Sequence, residues 1–150
     1  MNVRAICEGN FTVPIPVASA LPLFTPEGER RWAGSSWDPV YALPDAAGDD
    51  TAPGTVFTTA SDGGAATWIV LERRDNGMRY ARVAPGRIAG TISVDCAQTS
   101  AADTSVTVRY DVTSLSPEGA ALVKELQDGY DDFLGEWRRA ILAALEEEAR

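Results

Sequence analysis

The amino-acid sequence predicts an α+β domain in which a curved antiparallel sheet packs against a long C-terminal helix. Three observations lead to this prediction. Apolar and polar residues alternate in several segments separated by turn residues, which is typical of antiparallel strands. Near the C-terminus the apolar residues recur instead at helical spacing. The chain of 150 residues is also long enough for one domain to bury a substantial core, so we expect a single domain over residues 1–150.

The first predicted elements are a strand over residues 3–13 and two short helices that end near Gly34. Thr25, Pro26 and Glu27 combine a residue that caps helices, one that opens them and one that stabilises their first turn. The strand is predicted because its apolar residues occur at every second position, as expected when one face is buried. These positions are Val3, Ala5, Cys7, Gly9, Phe11 and Val13.

Six further strands are predicted, and their spacing indicates an antiparallel meander. Asp75-Asn76-Gly77 is the strongest hairpin signal because Asn and Gly tolerate positive φ angles, and Ser61-Asp62-Gly63-Gly64 and Pro85-Gly86 mark two more turns. The acidic segment 44–54 is predicted to be a mobile flap or a solvated connector. The predicted strands cover residues 38–43, 55–59, 67–73, 78–83, 87–96 and 104–113.

The last predicted strand and the C-terminal helix both present one apolar face. In the strand, Val106, Val108, Tyr110 and Val112 alternate with polar residues. Ser116-Pro117-Glu118 has the residue types of a helix start, and we expect one helix from there to about Leu145. Gly129 and Gly135 are unfavourable inside it and indicate close packing. Its apolar arc of roughly 140° consists of Leu122, Leu126, Tyr130, Phe133, Leu134, Trp137, Ile141 and Leu145.

The charge and the hydropathy pattern argue against nucleic acid and membranes as partners. The net charge of −9, without a basic run, repels phosphate backbones. No apolar segment approaches the length of a membrane span, and Arg4 and Glu8 interrupt any signal-peptide pattern. We therefore expect a cytoplasmic protein, a monomer or a homodimer. The composition, rich in Ala, Arg and Gly and poor in Lys, is typical of bacterial proteins.

The sequence contains no histidine and two cysteines, Cys7 and Cys96. A structural zinc site normally needs four Cys or His ligands, so we expect no metal, and nothing indicates a cofactor. The usual histidine base of serine or cysteine nucleophiles is also absent. Both cysteines share the phase of apolar neighbours and are expected to be buried, unpaired thiols, because the first and sixth strands are not expected to be neighbours.

The element order of a strand, two short helices, six strands and one long amphipathic helix is that of the helix-grip fold. The chain also resembles the START-like, or SRPBCC, superfamily, which includes polyketide cyclase/dehydrase-like proteins, over almost its whole length. The residues that carry this resemblance are Phe24-Thr25-Pro26-Glu27-Gly28-Glu29-Arg30-Arg31-Trp32, Trp37-Asp38-Pro39, Gly54-Thr55-Val56-Phe57-Thr58-Thr59, Trp68-Ile69-Val70, Leu115-Ser116-Pro117-Glu118-Gly119 and the helix that contains Trp137.

The resemblance implies a seven-stranded sheet wrapped around the C-terminal helix, with an elongated cavity between them. Many members hold lipids, sterols, polyketides or other apolar molecules there, and others are enzymes or co-chaperone-like modules. The fold therefore does not decide the function.

A cavity of this kind would be lined by large aromatic and aliphatic side chains with a few polar groups. Tyr80, Tyr110 and Tyr130 are the preferred contacts, because a buried phenol needs a hydrogen-bond partner that a ligand can supply. Arg82 lies in phase with Met78 and Tyr80, and either faces the cavity or is an edge charge beyond the core. Core packing is the alternative for each aromatic. The predicted ligand-binding residues are Trp32, Trp37, Phe57, Trp68, Tyr80, Arg82, Tyr110, Tyr130, Phe133 and Leu134.

The sequence assigns no catalytic residue. Glu72, Asp95 and Asp111 are the carboxylates considered for acid and base chemistry, but charged residues on strands usually face solvent. Lys124 lies opposite the apolar arc of the helix, which argues against a desolvated amine. Three functions remain open: binding or carriage of a small hydrophobic molecule, a cyclase- or aromatase-like enzyme that uses the same cavity, and a protein-interaction module.

Overall fold

The computed structural model describes residues 1–61 and 64–150, so Asp62 and Gly63 of one predicted turn lie outside the described residues. Its strands are β1 Arg4–Val13, β2 Val40–Tyr41, β3 Val56–Ser61, β4 Gly64–Arg74, β5 Gly77–Ala84, β6 Ile88–Gln98 and β7 Thr104–Ser114. They form one antiparallel sheet in the order β1-β7-β6-β5-β4-β3-β2, which confirms the predicted meander. The hairpin at Asp75-Asn76-Gly77 joins β4 to β5, with Arg74 paired to Gly77.

The segment between β1 and β2 contains short helices, as predicted, although three pieces replace the expected two. Helix α1 (Val17–Ala20) continues into a 3₁₀ turn at Leu21–Phe24, and a second 3₁₀ turn follows at Gly28–Arg31. The Thr25 hydroxyl accepts a hydrogen bond from the Gly28 amide at 3.0 Å. The N-cap residue of the second 3₁₀ turn is Glu27, however, and its side chain makes no capping hydrogen bond.

The acidic segment after β2 is an exposed connector that begins with a 3₁₀ helix, Pro44–Asp49. Several hydrogen bonds hold it against the rest of the molecule. The Asp49 carboxylate accepts a hydrogen bond from Arg73 at 2.9 Å, and the Asp50 carboxylate accepts one from the Glu27 amide at 2.9 Å. These hydrogen bonds favour the interpretation of this segment as a solvated connector over that of a mobile flap.

The long C-terminal helix is present as predicted, but a break at Gly129, which the sequence did not predict, divides it into two parts. Helix α2 (Pro117–Asp128) and helix α3 (Tyr130–Glu148) meet at Gly129, whose φ of −109° and ψ of 17° are not helical. The Gly129 amide still donates to the Glu125 carbonyl at 3.0 Å, so the break is a local kink. Ser116 caps α2 as predicted, because its hydroxyl accepts from the Gly119 amide at 3.1 Å.

The expected close packing at the two helix glycines is also not found. A Cβ atom at Gly135 would meet only the Arg139 guanidinium at 3.4 Å, and one at Gly129 only the Glu125 carbonyl at 3.3 Å. The close approach lies instead at Gly119, where a Cβ atom would come within 1.7 Å of the Arg87 carbonyl. The first turn of α2 can therefore pack against the β5–β6 turn only because this position carries no side chain.

The interior contains two clusters of buried side chains on the inner face of the sheet, the face that packs against the helices. Helix α3 packs on β1 and α2 on β7, and these contacts enclose the first cluster, which includes Val13, Phe24 and Ile141. The second cluster belongs to β3–β6 and includes Trp68 and Tyr80. Because the helices lie over one side of the sheet, space remains between the two clusters.

Cys7 and Cys96 are buried and unpaired, as expected. Strand β7 lies between β1 and β6, so the two thiols belong to strands that are not neighbours, which confirms the reason given from the sequence. Burial raises the pKa of the Cys96 thiol to about 12, so this cysteine is protonated and unreactive near neutral pH. None of the helices among the described residues combines the length and the hydrophobicity needed to cross a membrane.

Candidate functional site

A cavity of about 660 Å³ fills the space between the two clusters. The inner face of β4–β7 forms one wall, and the short helices together with α2 and α3 form the other. Ser36 and Glu136 are its exposed lining residues and place its opening between the segment before β2 and helix α3. The cavity is therefore open to solvent on the side of α3.

Seven of the ten predicted ligand-binding residues line this cavity, and three do not. Phe57 does not line the cavity; its ring stacks on that of the lining residue Trp68, with ring centroids 5.8 Å apart. Tyr130 and Leu134 face β1, where they would be the nearest neighbours of a side chain at Gly9. The lining residues among the ten are Trp32, Trp37, Trp68, Tyr80, Arg82, Tyr110 and Phe133.

All four tryptophans of the chain line the cavity, including Trp137, which the sequence had placed only in the apolar arc of the helix. Three of them donate their indole N–H groups within the protein: Trp32 to the Leu23 carbonyl, Trp37 to the Pro26 carbonyl and Trp68 to the Thr59 hydroxyl, at 2.7–3.0 Å. These three rings therefore offer the cavity mainly apolar surface.

The three tyrosines predicted to contact a ligand differ in whether the protein supplies a hydrogen-bond partner for their hydroxyl groups. Tyr80 donates to the Phe24 carbonyl and Tyr130 to the Val108 carbonyl, each at 2.7 Å, so the backbone supplies the partner that a ligand was expected to supply. The expectation about phenol partners is wrong for these two residues. Within the described part of the chain, the Tyr110 hydroxyl alone of the three has no hydrogen bond from the protein. Burial raises the pKa of Tyr110, which keeps its hydroxyl protonated as a hydrogen-bond donor.

Arg82 faces the cavity, which favours the first of its two interpretations. Its guanidinium carbon lies 5.4 Å from the centroid of the Trp68 ring, within the range of a cation–π contact. Among the described residues it has no hydrogen bond or ion pair. Burial lowers the pKa of Arg82, and the neighbouring charge of Arg87 lowers it further.

Glu29 is a lining residue that the sequence analysis missed as a site residue. Burial raises the pKa of its carboxyl group from 4.5 to about 8, so the group is mostly protonated at neutral pH. Its charge also contributes to the raised pKa of Tyr110. The sequence contained one signal for this position: Glu29 precedes the buried Trp32 by three residues, and residues three apart share a face of a 3₁₀ turn.

The carboxylates that the sequence analysis considered do not reach the cavity. Glu72 and Asp95 pair with Arg74, and Asp111 pairs with Arg4 at 2.7 Å, all in surface ion pairs. Lys124 is exposed and pairs with Asp128 at 2.8 Å. Within residues 1–61 and 64–150, no group of three or more potential ligands from His, Cys, Asp and Glu is placed to hold a metal ion.

The seven-stranded antiparallel sheet, the long C-terminal helical segment packed on it and the short helices between β1 and β2 define the helix-grip fold. Solved structures with this fold match nearly the whole chain, and they are SRPBCC proteins. One is norcoclaurine synthase from Thalictrum flavum in complex with dopamine and hydroxybenzaldehyde, with a TM-score of 0.64 and 9% identity over 95% of this chain and 88% of that chain.

Two bacterial proteins show a similar likeness. Mll3558 from Rhizobium loti has a TM-score of 0.66 and 14% identity over 93% of this chain and 99% of that chain. CalU16 from Micromonospora echinospora has a TM-score of 0.57 and 16% identity over 99% of this chain and 92% of that chain. No model of a known protein family and no curated protein sequence matches the chain. At these identities the likeness shows the fold, and the function has to be argued from the site.

Proposed function

We propose that the protein binds or carries a small, mostly hydrophobic molecule in the cavity between the sheet and the C-terminal helices. The observation that carries this proposal is the aromatic lining of a cavity of about 660 Å³, a volume typical of sites for small organic molecules. Burial of apolar ligand surface, which contributes about 25 cal/mol per Å², supplies the driving force. The location in the cytoplasm and the monomeric or homodimeric state stay predictions.

The neighbour from Thalictrum flavum supports an aromatic ligand class, because its structure contains dopamine and hydroxybenzaldehyde. In the present chain the rings of Trp32, Trp68 and Trp137 would contact a flat ligand face to face or edge to face. The alternative of a protein-interaction module has no comparable supporting observation, and it stays a prediction.

Filling the cavity from helix α3 should weaken the binding of an apolar probe. Ala140 lines the cavity, whereas Ala143 is exposed on the same helix. We expect the neutral fluorophore N-phenyl-1-naphthylamine to bind the wild type, and Ala140→Trp to weaken its affinity at least about tenfold by occupying the space. Ala143→Trp adds the same side chain to the surface and should leave the affinity unchanged. Fluorescence titration measures both.

Native mass spectrometry completes this test, because a ligand that is retained during purification is released on unfolding. Equal affinity of the two tryptophan variants for N-phenyl-1-naphthylamine would contradict a cavity site. Absence of binding to the wild type, together with a ligand-free mass, would argue against carriage itself.

An enzyme is the second candidate, and Glu29 is the observation that favours it. A carboxyl group with a pKa of about 8 can exchange protons near neutral pH, and the protonated Tyr110 hydroxyl can donate a hydrogen bond to a developing oxyanion. In such a reaction the Glu29 carboxylate takes a proton from the carbon beside a ligand carbonyl. The electron pair of the broken C–H bond then forms the C=C bond of an enolate, and the carbonyl oxygen takes up the negative charge.

This second candidate predicts exchange of carbon-bound protons in a simple aromatic ketone. We expect the protein to accelerate exchange of the protons beside the carbonyl of 2-tetralone in heavy water, followed by NMR. The rate should increase as Glu29 ionises, and Glu29→Gln should lower it about a hundredfold or more. Glu72→Gln, on the outer face of the sheet, should keep the wild-type rate. An exchange rate unaffected by the protein would eliminate this function for such ketones.

A further inference from the structure

The cavity wall contains the positive charge of Arg82, for which the part of the chain that the structure describes supplies no counter-ion. Arg82 is half-buried at the end of β5, and none of the described residues places a carboxylate or another acceptor against its guanidinium. A guanidinium removed from water is unfavourable unless an anion or hydrogen-bond acceptors replace the lost hydration. None of residues 1–61 and 64–150 supplies these at Arg82, so a molecule that enters the cavity is a candidate source of the counter-charge.

The surroundings of Arg82 present further donors and an apolar platform. The Trp68 ring lies 5.4 Å from the guanidinium carbon and can help orient it. The Tyr110 hydroxyl is protonated, faces the same cavity and interacts electrostatically with Arg82. Arg87, which is 8% exposed, also lines this wall. This part of the lining therefore donates hydrogen bonds and carries positive charge.

The carboxyl groups of the lining do not compete with a bound anion. Glu29 is mostly protonated at neutral pH because burial raises its pKa to about 8, and Glu136 is exposed at the opening. The protein as a whole has a net charge of −9, so an anion is attracted by this local arrangement and not by the overall field.

We propose that the ligand is an apolar acid, whose carboxylate or equivalent oxyanion pairs with Arg82 while its hydrophobic body lies against the aromatic walls. This inference rests on the proposed ligand-binding function and adds the chemical class of the ligand. A guanidinium presents two parallel N–H groups to the oxygens of such an anion, which gives both affinity and orientation.

Two fluorophores that differ by one charged group test the proposal. N-phenyl-1-naphthylamine is neutral, and 8-anilino-1-naphthalenesulfonate has the same two aromatic units with an added sulfonate, which stands in for the ligand oxyanion. We expect Arg82→Met to weaken binding of the sulfonate about ten- to fiftyfold and to change binding of the neutral probe less than about twofold. Arg82→Lys should weaken sulfonate binding to an intermediate degree, because lysine keeps the positive charge but lacks the two parallel N–H groups of the guanidinium.

Arg79 provides the matched control. It lies on the same strand, points to the opposite face and is 42% exposed. Arg79→Met removes the same charge from the protein and should leave both affinities unchanged. Arg82→Met should also melt at a temperature equal to or above that of the wild type, because an uncompensated charge is removed. A large fall in melting temperature would instead assign Arg82 a structural role and overturn the proposal.

The outcomes separate this inference from the function on which it rests. If the wild type binds the neutral probe and Arg82→Met weakens the two probes equally or not at all, the acid-binding inference fails while ligand binding stands. The same holds if the wild type binds the neutral probe and does not bind the sulfonate. If neither probe binds the wild type and its native mass is free of ligand, both proposals fail.

Discussion

Glu29→Gln should make the protein more stable than the wild type in alkaline solution, by about 3–5 kcal/mol at pH about 9. Near pH 5, just above the pKa of 4.5 in the unfolded chain, we expect the difference to fall below about 1 kcal/mol, because glutamine resembles the protonated carboxyl group in size and hydrogen-bonding groups. Urea unfolding curves at several pH values measure the difference.

The direction of this stability difference follows from the pKa values of Glu29 in the folded and unfolded states. Burial raises the pKa of Glu29 from 4.5 to about 8, so between these values the folded protein binds a proton that the unfolded chain has released. The stability of the wild type therefore falls as the pH rises through this window. Glutamine has no proton to lose, and the variant should lack this component of the slope.

Glu136→Gln is the control, because it removes a carboxylate at the exposed opening of the same cavity. This variant keeps Glu29, so it should retain the pH-dependent loss of stability of the wild type. Parallel profiles of the wild type and Glu29→Gln would show that the Glu29 carboxyl group is solvated and not buried in the cavity wall.

Phe24→Ala should cost about 3–5 kcal/mol of the free energy of unfolding, which is typical of removing a fully buried aromatic ring. Phe24 is 1% exposed, and its ring centroid lies 5.9–6.5 Å from those of Phe11, Trp32 and Trp137. These rings come from β1, the short-helix segment and α3, so one side chain joins three parts of the first cluster. The loss creates a void that joins the existing cavity.

Phe24→Leu and Leu43→Ala calibrate this measurement. Leucine refills part of the space, so Phe24→Leu should cost clearly less than the alanine variant. Leu43 is 74% exposed, and its truncation should change the stability by less than about 0.5 kcal/mol. A cost below about 1 kcal/mol for Phe24→Ala would contradict the packing described between β1 and α3.

The sequence predicts the sheet well because burial on one face leaves a period of two in the residues themselves. In β7 the positions predicted to share the inner face, such as Val106, Val108 and Val112, are the buried ones. The kink at Gly129 could not be predicted in the same way. The apolar spacing of α2 continues into α3, so the pattern is equally compatible with one straight helix.

The site was harder to predict than the fold, because a side chain on an inner face can meet either the cavity or the opposite layer. Tyr130 and Leu134 belong to the apolar arc of the helix, but that part of the arc faces β1. Glu29 lines the cavity although the sequence did not indicate it as a site residue. An acidic residue in a short polar segment is usually solvated, and the burial of Glu29 depends on where the tertiary structure places the 3₁₀ turn.

The concentration of all four tryptophans around one cavity makes the protein its own optical sensor. Light absorbed selectively by indole excites only rings that border the ligand space, so the emission contains no background from distant tryptophans. An occupant that displaces water from these rings should change the emission maximum, and one that absorbs in the same range should quench it by energy transfer. A library of unlabelled compounds can therefore be screened on the unmodified chain, with the ligand itself producing the signal.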